Sequence, residues 1–492
     1  MVHPERNSTF FQGWKMADCG SAEEEYSKFH DCGKDSGSVF DMGEHCVGYL
    51  KFRIDFKTEK QPPDCPVRLK ITFGEVPAEI GEDFGSYSGG LSGTWLQEET
   101  LVVDDIPAEV KLPRRYAFRY VSIKPDDNRP RAFKIGFRDV TCESLTSADE
   151  NAVPSLPPGA SDEMELLDKI SLNTIKNCMQ GVFEDGPKRD RRLWLGDFYL
   201  QAQLNYLTFK NYSLCKKCLL LFAGCTNERG LIPSCVYERP QPHRAELYIY
   251  DYTALFAATL LDYAHASGDW DCAGELWPVA LRQVDFLTAE LDNTGLFQDG
   301  KSWWLFIDWN NALDKQAAEQ ASLIYSLRKT LELANALKKE KEAAFLKEII
   351  AKTFRAAKLF LFDEEKGIFV SGLERQVSWI SQALMRRAGV IQGEDACRAL
   401  KAALSAPDAV KPVSPYSLHC VVEALFEEGM IKEAERIMLE CWGAMAKLGA
   451  DTFWEVFDPQ NHFCSPYGSH LINSYCHAWS CTPAYFIRKF KR

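Results

Sequence analysis

The chain has 492 residues, room for two or three domains, and its 46% hydrophobic and 26% charged content is ordinary for a globular protein, which excludes a disordered or collagen-like chain. Lys and Arg number 57 against 70 Asp and Glu, so the net charge is −13, and such a surface repels phosphate backbones and excludes nucleic acid as a general partner. No apolar run is long enough to cross a bilayer, so no membrane span is expected.

The N-terminal MVHPERNSTFFQGWK lacks the apolar core of a secretory signal. The 17 cysteines are an odd number, and a long chain with an ample core needs no disulfide framework. A reduced, cytoplasmic protein is expected, in which the glycosylation patterns at Asn7 and Asn211 carry no meaning. The 12 Trp, 18 Tyr and 30 Phe suit a large core, and equally suit sugar binding through ring faces.

In chain order, the first third reads as β. Leu50, Phe52, Ile54 and Phe56 alternate with polar residues, as do Val67, Leu69, Ile71 and Phe73, and later Phe133, Ile135 and Phe137. A period of two marks strands with one buried face, and the turn-rich stretches between them predict a sandwich. The Pro-rich VPSLPPGAS at 153–161 reads as a linker, and Ser161 followed by Asp162 and Glu163 as a helix N-cap. From there to the end the apolar spacing is helical, with about twelve amphipathic stretches, among them 245–267 and 472–489. Their paired rhythm suggests a toroid of six helical hairpins with a cleft built from the loops at one end. The expected layout is an N-terminal extension at 1–37, a β-sandwich at 38–152, a linker at 153–161 and an (α/α)6 toroid at 162–492.

Five segments carry chemistry. EDGPKRDRRLWLGD (184–197) crowds acids, bases and Trp194 around a Gly-Pro turn, where a carboxyl among apolar and acidic neighbours gains the raised pKa of a general acid. The alternative is a solvated charged loop. Glu455 lies between Trp454 and Val456; a buried Glu is either functional or a core acid paired to an Arg. His477, in SYCHAWS, reads as a site histidine or a structural one on a helix. Trp303, Trp304 and Trp309 beside Asp308 and Asn310, and Tyr248 to Tyr252 around Asp251, read as sugar platforms or as core. Cys215-Lys-Lys-Cys218 has no second pair at zinc spacing, and the glycines at 85–93 lack the lysine of a phosphate loop. No metal site and no cofactor are expected.

DGPKRDRRLWLGD resembles the D-x-P-x-R-E-R-x-x-W-x-G-D signature of the inverting α-L-rhamnosidases, glycoside hydrolase family 78. WWLFIDWNN, TFWEVFDP and SYCHAWSCTPAYF follow in the family's order, while FDMGEHCVGYLKFRI, ITFGEV and RRYAFRYVSIK resemble its concanavalin-like β domain. The resemblance implies a β-sandwich followed by an (α/α)6 catalytic toroid, and an enzyme removing terminal α-L-rhamnosyl residues with inversion. It implies Asp190 as general acid and Glu455 as general base. Asp185, Arg189, Trp194, Asp197, Asp251, Trp304, Trp309, Trp454 and His477 fall on the sugar site. The family usually has Glu where this chain has Asp190, which withdraws the proton by about one carbon–carbon bond, roughly 1.5 Å. The alternatives are a toroid glycosidase for another deoxy sugar or a uronic acid, suited by the basic run from Lys188 to Arg192, and a catalytically impaired sugar-binding homologue. A carbohydrate substrate and a monomer or homodimer complete the expectation.

Overall fold

The computed structural model describes residues 2–6, 14–18, 24–25, 27–32, 37–59, 63–127, 131–156, 158–300 and 303–490. Asn7 lies outside them. A hairpin of Val2–Arg6 and Trp14–Asp18 comes first. One connected antiparallel sheet follows: β1 (His30–Asp31), β2 (Ser38–Thr58), β3 (Val67–Gly74), β4 (Glu98–Val103), β5 (Ala108–Lys111), β6 (Tyr116–Pro125) and β7 (Phe133–Ser144). Its order is β1-β7-β2-β6-β3-β4, with β5 also on β2.

The long strand β2 organises this sheet. Its first half, Ser38 to Gly48, runs beside β6; its second half, from Gly48 on, lies between β7 and β5. Register shifts between Asp41 and Cys46 and between Lys51 and Arg53 bend it, as bulges do. The alternating residues named above point inward: Leu50, Phe52, Ile54, Leu69, Ile71, Phe73, Ile135 and Phe137 are buried in one shared core. A sheet of which β2 to β7 all contribute to one core is folded over itself, the sandwich that the period-two pattern predicts.

Past the 153–161 segment, the described residues hold twelve helices of eight residues or more. They are α1 (Asp162–Cys178), α2 (Leu195–Leu207), α3 (Tyr212–Gly224), α4 (Phe256–Ser267), α5 (Trp270–Thr288), α6 (Gln316–Ala336), α7 (Glu340–Ala356), α8 (Trp379–Arg387), α9 (Gly393–Ser405), α10 (Pro415–Glu427), α11 (Ile431–Met438) and α12 (Pro483–Phe490). Ser161 caps α1 by accepting from the Met164 N–H, and Asp162, Glu163 and Glu165 fill its first turn.

Contacts sort the helices into two rings. The even-numbered helices touch in sequence, α2 to α4 to α6 to α8 to α10 to α12, and α12 returns to α2; each odd-numbered helix packs outside against an even one. This is the six-hairpin toroid. The closure is chemical as well as steric: Arg488 on α12 holds Asp168 on α1 through two hydrogen bonds of 2.7 and 2.8 Å. Two expected helices are shorter than the apolar spacing suggests. Within 245–267 only Tyr250–Thr253 and α4 are helical, and within 472–489 only α12 and the single turn Ala478–Ser480 are. Their remaining apolar residues bury against the mouth of the ring instead of along a helix. No helix is long and apolar enough to cross a membrane among the described residues.

Candidate active site

The loops entering the inner helices meet at the N-terminal end of the ring. There they enclose a cavity of about 270 Å³ lined by Asp185, Arg189, Asp190, Trp194, Asp197, Trp304, Trp309, Glu455 and His477. Each side chain is placed by the segment leading into α2, α6 or α12, or by the 451–459 loop. A larger cavity of about 550 Å³, at the C-terminal ends of the inner helices, is lined by Tyr199, Asp262, Arg387 and Glu423 and holds none of the signature residues.

The 184–197 loop is a closed structure. Asp185 N–H donates to the Arg192 carbonyl at 3.0 Å, Arg192 N–H returns a bond to Asp185 Oδ1 at 3.0 Å, and Arg191 N–H donates to the Gly186 carbonyl at 3.1 Å. Gly186 admits no larger residue, since a Cβ there would meet the Arg189 carbonyl at 2.5 Å and Ser474 Oγ at 2.6 Å. Gly196 is equally confined, because a Cβ would strike the Tyr252 ring at 2.4 Å. The loop is then pinned to the 472–478 segment. Ala478 N–H donates to the Asp185 carbonyl at 2.7 Å, and Arg189 Nε to the Ile472 carbonyl at 2.9 Å.

Glu455 is buried and held on both oxygens. Arg189 Nη2 and the Ser474 N–H (3.2 Å) donate to Oε2, and the Tyr467 hydroxyl donates to Oε1. The arginine-paired core acid weighed as the alternative is thus present in part, but the pair faces the cavity. The same guanidinium reaches Asp190, with Arg189 Nη1 3.6 Å from Oδ1, so one arginine lies between the two carboxylates. Glu455, with Tyr467, Asp190 and Asp185, holds the Arg189 guanidinium firmly charged against the cost of burial. Asp190 is less enclosed, with its side chain 19% exposed and Arg192 also 3.6 Å away.

Around these two, burial dominates. It pushes Asp185 well above the usual carboxylate range, with Asp190 and Asp197 adding to the shift, and raises Asp197 likewise, helped by Glu455 and Asp190. Burial, with the Arg189 charge beside it, holds His477 well below its ordinary range, so its ring is neutral. Asp197 Oδ1 and His477 Nδ1 stand 3.4 Å apart, buried, and neither has a hydrogen-bond partner among the described residues. Unpaired buried polar atoms are costly, and these two border a cavity whose occupant would satisfy them.

Two expected site residues lie elsewhere. Both Asp251 oxygens are taken by the backbone N–H groups of Phe306 (2.9 Å) and Ile307 (3.2 Å), so Asp251 holds the Trp-rich loop from beneath; burial raises it to about 6. Trp454 packs edge-on against Phe457 and Tyr475 and borders a different cavity. Residues not named as site candidates join instead: Tyr467, which no quoted motif contains, Tyr252 and Phe306, which neighbour the candidates within theirs, and, from the sheet domain, Leu91 and Trp95. The glycine-rich 85–93 stretch explains the last two. It docks on the ring, with Gly90 N–H donating to the Tyr467 carbonyl at 2.7 Å and Leu91 and Trp95 packed with Leu471 and Ile472. Cys215 and Cys218 are buried on α3, and no group of three His, Cys, Asp or Glu converges as a metal site among the described residues.

The sheet domain also braces the signature loop from below. Lys188, buried, is 2.6 Å from Glu79 and 3.6 Å from Glu75, and donates to the Asn473 carbonyl. His45 Nε2 lies 3.0 Å from Glu75, whose other oxygen accepts from the Tyr475 N–H at 2.7 Å.

Residues 1–144 match the glycosyl hydrolase family 78 alpha-rhamnosidase N-terminal domain, and residues 160–490 match the bacterial alpha-L-rhamnosidase 6 hairpin glycosidase domain. A rhamnosidase from Klebsiella oxytoca, solved with rhamnose bound, is similar over 100% of this chain and 94% of its own, at 40% identity and a TM-score of 0.95. The family 78 rhamnosidase of Bacillus sp. GL1 shares the fold at 22% identity and a TM-score of 0.74, over 92% of this chain and 46% of its own. The Streptomyces avermitilis α-L-rhamnosidase, complexed with L-rhamnose, does so at 16% identity and 0.68, over 94% and 43%. No curated protein matches the chain.

Proposed function

The chain belongs to the α-L-rhamnosidases of glycoside hydrolase family 78 and is an enzyme of that class, and we propose that Asp190 and Glu455 carry out its reaction, the inverting hydrolysis of terminal α-L-rhamnosides. One observation carries these roles. Two carboxylates from distant parts of the chain open into one aromatic-walled cavity that also presents two unpartnered buried polar atoms, Asp197 Oδ1 and His477 Nδ1. The bound rhamnose of the Klebsiella oxytoca relative supports rhamnose as the sugar.

Asp190, the more exposed carboxyl, protonates the glycosidic oxygen as the leaving group departs. Glu455 takes a proton from the water that attacks the anomeric carbon from the other face, the arrangement of an inverting pair. Arg189, Tyr467 and the Ser474 N–H fix the orientation of Glu455 toward that water. Arg189 is committed to this task and to the Ile472 carbonyl, so sugar hydroxyls fall to Asp185, Asp197 and His477. Asp185 and Asp197 are pushed toward their neutral form, in which a carboxyl can donate a hydrogen bond as well as accept one. Trp194, Trp304 and Trp309 supply ring faces for the apolar side of the sugar. No step calls for a metal or organic cofactor. An enzyme working without nucleic acid fits the net charge of −13.

Proton NMR of an aryl α-L-rhamnoside digest at early time tests the proposal. The first released rhamnose is expected as the β anomer. Release of the α anomer would remove the roles given to both carboxylates.

A further inference from the structure

The sugar cavity does not stand alone. Trp95, Asp190 and Arg192 also line a second cavity of about 610 Å³, set between the sheet, at Tyr49 and Arg115, and the ring, at Tyr237 and Arg239. If Asp190 is the acid, the bond it protonates spans the two cavities, and the second one receives the leaving group.

The charges of this second cavity do not balance. Glu184 is matched by Arg115, whose Nη2 donates to both its oxygens at 3.0 and 2.9 Å. Glu238 is matched by Lys217 at 2.5 Å, and Asp190 by Arg192 at 3.6 Å. Two guanidiniums are left over. Arg239 is 85% exposed and, among the described residues, reaches only the already paired Glu238, at 3.8 Å. Arg191 has no carboxylate within 4.0 Å among the described residues; its Nε donates to the Lys188 carbonyl at 3.2 Å and its Nη2 to Gln97 Oε1 at 3.4 Å. Burial, with Arg115 and Arg114 nearby, draws Arg191 down to about 10, still cationic at neutral pH. The Glu184 charge, itself bound by Arg115, offsets this only in part; a half-buried cation with no carboxylate in contact is an expensive arrangement, and it is relieved when a ligand brings one. The rest of the lining suits a sugar. Tyr49 and Trp95 offer aromatic faces, while Tyr237 is already covered by Arg192 at 4.4 Å and by the stacked His243 ring at 4.6 Å.

We propose that this second cavity is the leaving-group site and that it takes an acidic sugar, a uronic acid whose carboxylate pairs with Arg191, with Arg239 at the rim. The proposal rests on Asp190 being the acid. It also reassigns the basic run of the sequence. Lys188 is spent on Glu75 and Glu79, Arg189 on Glu455 and Arg192 on Asp190, so of that run Arg191 remains for the substrate carboxylate, on the side away from the rhamnosyl unit.

The test compares two disaccharides, α-L-rhamnose on a uronic acid and the same compound with its carboxylate reduced to a hydroxymethyl group. With the intact protein at low salt, kcat/KM is expected to favour the uronate by about tenfold or more, the scale of one charge-assisted hydrogen bond. Arg191→Gln is expected to collapse that ratio toward one, and Arg239→Gln, on an exposed side chain with little role in folding, to lower it in part. Raising the salt concentration narrows it in the native enzyme. A ratio of one or less in the native enzyme, failure to cleave the uronate, or a ratio that survives both substitutions would overturn the proposal. Failure of the underlying assignment shows separately, as an Asp190→Asn variant that loses no more activity on a sugar rhamnoside than on a nitrophenyl one.

Discussion

The loops carrying Asp190 and Glu455 face one cavity and are built on opposite plans. Glu455 sits within a frame of three donors, two on one oxygen and one on the other, and is almost wholly buried. Asp190 is a fifth exposed, receives no hydrogen bond among those described, and has two guanidiniums at 3.6 Å. Yet the loop beneath Asp190 is itself firmly braced, through Lys188 and the carboxylates of the sheet domain. The contrast matches the two tasks. A base that aims one small water gains from a fixed carboxylate, whereas an acid that must meet leaving groups of different size gains from a firm platform with a free tip.

The largest expected effect is on the framed side. Glu455→Gln keeps the shape while removing the base, with the amide oxygen accepting from Arg189 and Ser474 and the amide NH2 donating to the Tyr467 hydroxyl in a reversed bond. The kcat should therefore fall by about 10²–10⁴ for every rhamnoside, good leaving group or poor. Rhamnose binding, followed by calorimetry, should persist. Retention of most activity would make Glu455 a structural partner of Arg189 and nothing more.

Asp190→Asn breaks the comparison from the other side. A general acid matters in proportion to how much the leaving group needs a proton. The loss should approach about 10²–10⁴ for an alkyl or sugar leaving group and shrink sharply for a nitrophenyl one. An equal loss across both classes would mean that Asp190 positions the sugar instead of protonating its leaving group.

Lys188→Met removes the brace. Glu75 and Glu79 are then left side by side in the interior, and breaking a buried pair in this way costs about 3–5 kcal/mol, read as a fall in Tm. The pH dependence has a definite sign. In the native protein burial opposes the charge on Glu75, but Lys188 and His45 hold its carboxyl below its ordinary range, so this stabilisation is present at neutral pH and is lost as pH falls through that lowered value. Burial already holds Glu79 above its ordinary range, and without Lys188 Glu75 joins it. The folded protein then takes up protons before the unfolded chain does, so stability rises as pH falls through the raised values toward the ordinary carboxylate value of about 4. The gap between variant and native protein should therefore narrow on mild acidification; a gap independent of pH would place the cost in packing alone.

How much of this was legible in the sequence depends on the kind of order involved. Strands with one buried face, such as Leu50 to Phe56, and helices such as α1 with its Ser161 cap are periodic, and periodicity is local. The ring could be read because twelve such patterns follow one another. The site lies where the chain stops being periodic. His477 sits on a short turn between loops, not on a helix, because Cys476, Ala478 and Trp479 bury against the mouth of the ring in a pattern that only imitates helical spacing. Asp251 looked like a sugar ligand because it is an acid among tyrosines; nothing local tells that two backbone N–H groups fifty-five residues on will claim it. Tyr467 and Trp95 carried no motif at all. They reach the cavity because the glycine-rich stretch of one domain docks on a loop of the other, a contact set by tertiary packing.

The smallest expected effect isolates one strut of the Glu455 frame. Tyr467→Phe deletes the hydroxyl that donates to Oε1 and leaves the ring, which stacks under the Arg189 guanidinium at 4.5 Å and meets Trp309 edge-on at 5.7 Å. The cavity wall therefore stays in place, and so do the Arg189 and Ser474 bonds to the other oxygen. What is lost is the restraint on the oxygen that faces His477, 4.0 Å from its Nε2. A hydrogen bond to a charged group is worth about 1.5–3 kcal/mol, and the two remaining donors recover part of that, so kcat should drop by about tenfold with KM little changed. Tm should fall only slightly. The split between the two constants decides the matter. A rise in KM at constant kcat would make Tyr467 a wall of the sugar pocket, and a fall in kcat as large as that of Glu455→Gln would show that the carboxylate has no position of its own without this hydroxyl.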